Sequence, residues 1–196
     1  MVNVSVETFE LFVDYIYTKT ISLSVENVGG LYVFSDQYQI EEIHSFCYEF
    51  IKESLGTDSI IPYYKLSTQC HDDKLLQKCL KFIIKHTKDV LESKCFLELA
   101  PIDLIEHIVN QPQLNCSESE LLNGILMWSE FQAKTNTELS KFLGIAILDR
   151  IKFPFVSIEL MIKVRHLNVY PKVEILLDSF LYQLNPKITG TNTNNK

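Results

Sequence analysis

LNCSESELLNGILMWSEF, residues 114–131, is the stretch whose reading decides the fold. Ser117 followed three positions later by Glu120 is a capping box: the serine oxygen can accept from the Glu120 amide while the glutamate reaches back to the Ser117 amide. Beyond that start, Leu121, Leu122, Ile125, Trp128 and Phe131 recur at three- and four-residue spacing, so they line one face of a helix. Such a face has to be buried against another layer.

Outward from this helix the same grammar continues in both directions. On the C-terminal side, helices are predicted over Glu138–Asp149, Ser157–Val164 and Val173–Leu184, before a polar tail, Gly190–Lys196. On the N-terminal side, short helices fit Pro101–Val109 and Ser93–Leu99. Asp72 or Asp73 starts Lys74–His86, whose stripe is Leu75, Cys79, Phe82 and Ile83. Ser59 can cap a helix reaching His71, with Pro62 tolerated in its first turn. Ile40–Leu55 turns Ile40, Ile43, Phe46, Cys47 and Phe50 inward and stops at Gly56. Ser24 is the expected cap of a helix whose face holds Val28, Leu31, Tyr32 and Tyr38. Val6–Thr18 carries Val6, Phe9, Val13 and Ile16, widened by Phe12 and Tyr15. Thr20–Leu23 alternates briefly and reads as one short strand. Short connections require antiparallel neighbours. The expected fold class is therefore predominantly all-α: stacked antiparallel helix pairs with at most one short strand. No exact sequence repeat is visible, and a seam falls around Leu55–Asp58.

Composition supports this class and removes several functions. Hydrophobic residues make up 46% of the 196, enough for buried cores. Six Gly and six Pro are too few for a turn-dense β architecture. The net charge of −7, with no Lys/Arg cluster, argues against a nucleic-acid partner. No apolar run approaches the roughly 18 residues of a membrane span, and the first residues lack the pattern of a secretion signal. Five cysteines without CxxC spacing suit a reducing compartment, so a cytoplasmic or nuclear protein is expected.

Catalytic, cofactor and metal sites are not expected. His44 and Cys47 have the i, i+3 spacing of a zinc pair, but nothing at ligand spacing completes a set of four. Cys70 and His71, adjacent on a helix, point in different directions and cannot work as nucleophile and base on each other. Gly29-Gly30 lacks the Lys-Ser/Thr of a phosphate loop. Trp128 lies on a core stripe.

Several blocks carry a family resemblance. FVDYIYTKTISLSVENV (12–28) and FSDQYQIEEIHSFCYEFI (34–51) resemble the C-terminal half of a BTB (POZ) domain, with Tyr38-Gln39-Ile40 at a helix–helix turn. KCLKFIIKHTKDVLESKCFLELAPIDLIEHIV (78–109), the opening stretch 114–131, and ILDRIKFPFVS (147–157) resemble the BACK domain that follows BTB domains in kelch-type adaptors. The resemblance implies residues 1–55 as a BTB half, 56–186 as a BACK domain and 187–196 as a disordered tail. Met1–Glu7 is too short for the family's N-terminal BTB half, with its sheet and dimerising helix, and no kelch propeller is expected after residue 185.

What the resemblance implies for function is a non-enzymatic substrate adaptor of a cullin-3 type RING ubiquitin ligase. Carried over residue by residue, the cullin surface falls on Asp36, Tyr38 and Gln39, and on Tyr63, Tyr64, Ser67 and His71 after the seam. Tyr63 is the expected contact and Tyr64 the expected core residue, since neighbours on a helix point about a quarter-turn apart. The alternative is a truncated non-ligase scaffold or antagonist that recruits no substrate. Self-association through an exposed BTB remnant is expected in either case.

Overall fold

The computed structural model describes residues 4–99, 108–111, 113–135, 148, 150–166 and 173–184. Among them are nine α-helices and no strand: α1 (Val6–Thr18), α2 (Val28–Gln37), α3 (Glu41–Glu53), α4 (Ile60–Gln69), α5 (Asp73–Lys85), α6 (Thr87–Glu92), α7 (Glu118–Thr135), α8 (Ile158–His166) and α9 (Val173–Leu184). The chain forms two compact units, residues 1–83 and 84–196, with the boundary inside α5.

In the first unit, α1 starts at Ser5, whose side chain accepts from the Thr8 amide at 3.1 Å. It ends where Lys19 turns left-handed, φ 56°, and donates its amide to Tyr15 O. Its apolar stripe divides: Tyr15 is buried, Phe12 and Val13 are half-buried, and the rest stays open, as expected of an exposed remnant. Thr8 and Tyr15 are its buried residues, while Val6, Phe9, Ile16 and Tyr17 are 76, 52, 47 and 84% exposed. The helix meets α2 through its small side: a Cβ on Gly30 would lie 2.5 Å from Thr8 Oγ1, so glycine permits the close approach. Phe12 then stacks on Phe34, ring centroids 4.9 Å apart.

Thr20–Leu23 forms no strand. Thr18 Oγ1 bonds Asp14 O at 2.7 Å and accepts from the Thr20 amide at 3.3 Å, and the described residues hold no partner strand to pair with. Ser24 acts one step earlier than expected. It exchanges bonds with Asn27, Ser24 N–H to Asn27 Oδ1 at 2.8 Å and Asn27 N–H to Ser24 Oγ at 3.3 Å, and α2 begins after Asn27.

Val28, Leu31 and Tyr32 are fully buried as expected, whereas Tyr38 lies past the end of α2 and is exposed. On α3 the buried row is Ile43, Cys47 and Ile51; Phe46 is exposed. Gly56 is not the stop. Ser54 caps α3, its hydroxyl donating to Phe50 O at 2.8 Å, and Gly56 has no positive φ. Asp72 caps α5 by accepting from the Lys74 and Leu75 amides at 2.9 and 3.0 Å. Leu75, Cys79, Leu80 and Ile83 form its buried side, and Phe82 is half-buried.

The second unit is organised on α7. Its capping box is formed in both directions: Ser117 N–H to Glu120 Oε2 at 2.9 Å and Glu120 N–H to Ser117 Oγ at 3.2 Å. The helix α6, absent from the sequence reading, packs on it where a Cβ at Gly124 would stand 2.9 Å from Leu91 Cδ2. Trp128 is fully buried and donates its indole N–H to Leu99 O at 3.0 Å. Leu121, Leu122 and Ile125 share its burial; Phe131, toward the end, is exposed. Cys95–Glu98 forms one 3-10 turn within the expected Ser93–Leu99 helix, and another spans Phe153–Phe155. Gln183 on α9 donates to Val156 O at 2.7 Å, tying that helix to the second turn. Most of the Pro101–Val109 helix, nearly all of the Glu138–Asp149 helix and the C-terminal tail lie outside the described residues.

Candidate functional site

The sequence places its candidate surface at the turn after α2 and on the helix pair after the seam; the structure adds a second turn after α4, and all seven residues lie in the first unit. Each turn is the same hydrogen-bonded motif. At the end of α2, Gln39 is left-handed, φ 55°; its amide donates to Asp36 O at 3.2 Å and the Ile40 amide to Ser35 O at 2.8 Å. At the end of α4, His71 is left-handed, φ 53°; its amide donates to Thr68 O at 3.4 Å and the Asp72 amide to Ser67 O at 2.9 Å. These are Schellman terminations, which satisfy the last carbonyls of a helix. They use Gln and His at a position that glycine occupies most readily.

The seven candidate residues divide by burial. Asp36, Tyr38, Gln39 and His71 are exposed, with Tyr38 at 56%. Tyr63, Tyr64 and Ser67 are buried. The expected division, with Tyr63 outward and Tyr64 inward, does not hold, because α4 buries Ile60, Ile61, Tyr63, Tyr64, Leu66 and Ser67 around most of its circumference. A helix covered on more than one side admits both tyrosines. The Tyr63 hydroxyl also pairs with Ser54 Oγ at 3.0 Å, and Ser67 Oγ donates to Tyr64 O at 2.7 Å. Tyr63→Ala therefore removes core.

A cleft of about 570 Å³ joins the two turns. Asp36, His44 and Tyr48 line it from the first helix pair, and Cys70, His71 and Asp72 from the second. Tyr32, beneath it, stacks on His44 with ring centroids 4.3 Å apart and donates its hydroxyl to Asp72. Burial, then the Asp72 carboxylate, raises the Tyr32 hydroxyl well above its ordinary value, so it stays a donor. Burial pushes the Asp72 carboxyl up, but the Tyr32 hydroxyl and the Leu75 and Lys74 amides outweigh it and hold the group below its usual range. Neither Tyr32 nor His44 is among the sequence candidates; the signal for Tyr32 is a buried hydroxyl, which needs a partner.

Three thiols of the first unit, Cys47, Cys70 and Cys79, are poorly suited to nucleophilic chemistry. Burial, with Asp36 and Asp72 nearby, pushes Cys70 up to about 11; burial alone pushes Cys47, and burial with Asp72 pushes Cys79, up to about 12. A thiolate nucleophile needs the opposite environment. Among the described residues, no group of three or more His, Cys, Asp or Glu could hold a metal ion, and no helix is long and apolar enough to cross a membrane.

Comparison with known proteins covers the stretches in which both turns lie. Residues 1–55 match the BTB/POZ domain family, and residues 60–166 match BACK, "BTB And C-terminal Kelch". Kelch-like protein 22 of Xenopus tropicalis is 25% identical over 187 residues, 92% of this chain and 29% of that protein. Kelch-like protein 7 of Homo sapiens is 25% identical over 152 residues, 77% of this chain and 25% of its own length. The Serine-enriched protein of Drosophila melanogaster is 24% identical over 188 residues, 92% of this chain and 14% of that protein. The chain thus spans less than a third of each of these relatives.

Proposed function

Because the chain belongs to the BTB And C-terminal Kelch family, with a BTB/POZ segment ahead of its BACK domain, we propose that it is a non-enzymatic adaptor that binds a cullin-3 type scaffold of a RING ubiquitin ligase. It does no bond chemistry. An adaptor works by holding scaffold and substrate together, raising the effective concentration of one near the other. The observation that carries the reading is the pair of exposed turns joined by one cleft, with Asp36 on one side and His71 on the other. Tyr38 replaces Tyr63 as the preferred aromatic contact, because it is an exposed ring at the rim of the first turn. Five cysteines without CxxC spacing support a cytoplasmic or nuclear setting for this function.

Calorimetry with a cullin-3 type scaffold tests the proposal. Tyr38→Ala and His71→Ala, both on exposed side chains, are expected to keep the helical circular-dichroism signal. Each should weaken binding, an interface-centre aromatic contributing about 2 kcal/mol. Binding equal to wild type by both variants rejects the surface. No binding by wild type rejects the ligase reading and leaves the non-ligase scaffold.

A further inference from the structure

The helix bounds of the first unit coincide at a fixed offset. α2 and α4 start and end 32 positions apart, and so do α3 and α5. The coincidence extends to atoms. The Asn27 side chain accepts from the Ser24 amide at 2.8 Å; 32 residues on, the Ser59 side chain accepts from the Gly56 amide at 3.0 Å. The Val28 amide donates to Ser24 O at 3.0 Å, and the Ile60 amide to Gly56 O at 2.9 Å. Ser35 Oγ donates to Tyr32 O at 2.9 Å, and Ser67 Oγ to Tyr64 O at 2.7 Å. The left-handed residues that close the two hairpin turns, Gln39 and His71, are also 32 apart.

The cores match in the same register. Tyr32 pairs with Tyr64, Ser35 with Ser67, Cys47 with Cys79 and Ile51 with Ile83, identical in type and buried in both copies. Ser22-Leu23 and Ser54-Leu55 open the two stretches. Chance helix pairing does not reproduce caps, turn, buried serine and buried thiol at one offset.

We infer that residues 22–85 are two tandem copies of one helical hairpin, stacked so that their turns form a single docking edge, with Tyr32 as the positioning residue between them. Tyr32 belongs to the first copy, and its hydroxyl bonds Asp72, the residue that caps the last helix of the second. At the equivalent place in the first copy stands Ile40, which has no carboxylate. The link is therefore an addition to the repeat that holds the second turn against the first. The boundary between the family matches, at residues 55–60, falls at the start of the second copy, while the packing boundary, after residue 83, falls close to its end. That the edge is a docking edge rests on the function proposed above; the stacking does not.

Hydrogen exchange on the full chain, without any partner, tests the inference. Amides of α4 and α5 are expected to share the protection of α2 and α3. Tyr32→Phe, which keeps the ring, should speed exchange in all four helices several-fold and leave α7 unchanged. Should that variant not fold, Asp72→Asn serves the same readout from the more exposed side of the link. Exchange of α4 and α5 that tracks α7 and ignores both substitutions overturns the inference. In the calorimetric assay, Tyr32→Phe should weaken scaffold binding several-fold although its hydroxyl lies beneath the surface; unchanged affinity overturns the positioning role. Absence of wild-type binding sinks the adaptor reading alone, since the exchange result stands by itself.

Discussion

Trp128 sits where its loss is most expensive: it is fully buried, and its indole N–H is the partner of Leu99 O. Trp128→Ala is expected to cost about 3–5 kcal/mol, a cavity plus an unsatisfied carbonyl. Chemical denaturation measures this directly, and a midpoint equal to wild type would contradict it. Trp128→Phe should cost less, because it returns most of the volume and forfeits only the hydrogen bond. The burial of Trp128 was legible from its place among Leu121 and Ile125, because one capped helix fixes the phase of its own stripe. Tyr63 was not legible, because phase tells which residues share a face and not how many faces are covered. The partner of Tyr32 was hidden for a related reason: Asp72 is 40 residues away, and no local rule links them.

At the scale of elements, the start of α7 is sensitive to acid. Glu120 is held down to about 2, chiefly by Lys88, whose Nζ is 2.7 Å from Oε1, and then by the Ser117 amide and hydroxyl. A carboxyl lowered by folding contributes its stability above its ordinary range and loses it as pH falls toward the folded value. Helicity of the second unit should therefore decline between about pH 4.5 and about 2 in wild type, with Glu120→Gln flattening that part of the acid titration. Identical profiles for the two proteins would count against this cap. A second expectation concerns α1, whose exposed Val6, Phe9, Ile16 and Tyr17 form an apolar face. The chain should self-associate as concentration rises and bind a hydrophobic dye, and Phe9→Glu should reduce both. A monomer at every concentration, dark to the dye, would contradict it. Helix spans were the most legible part of the molecule: α1 and α9 fall where periodicity put them, and the capping box has both its bonds. The open apolar side of α1 is the exposed remnant expected from the resemblance, whereas the contact of Thr8 with Gly30 was not legible, because an apolar stripe says nothing of where a small polar side chain packs.

At the scale of the whole molecule, the sequence seam at residues 55–58 and the packing boundary at 83–84 are different things. Composition and turn residues mark where a hairpin starts, whereas packing marks where contacts thin, so a second hairpin stacked on the first moves the boundary by one repeat. The single tryptophan lies in the second unit, and circular dichroism reports both. If the units unfold separately, fluorescence and dichroism denaturation curves should not superimpose; coincident curves would establish one cooperative transition. The two left-handed turn residues carry a consequence for evolvability. A side chain in that conformation costs roughly 1 kcal/mol relative to glycine, yet both turns keep one, Gln39 and His71, on the exposed edge. Gln39→Gly and His71→Gly should therefore raise the melting temperature, and the same substitutions should weaken scaffold binding. A gain in stability with affinity intact would show that the edge has no use for those side chains. The opposite result would mark each turn as a place where selection has kept a tolerable loss of stability in exchange for recognition.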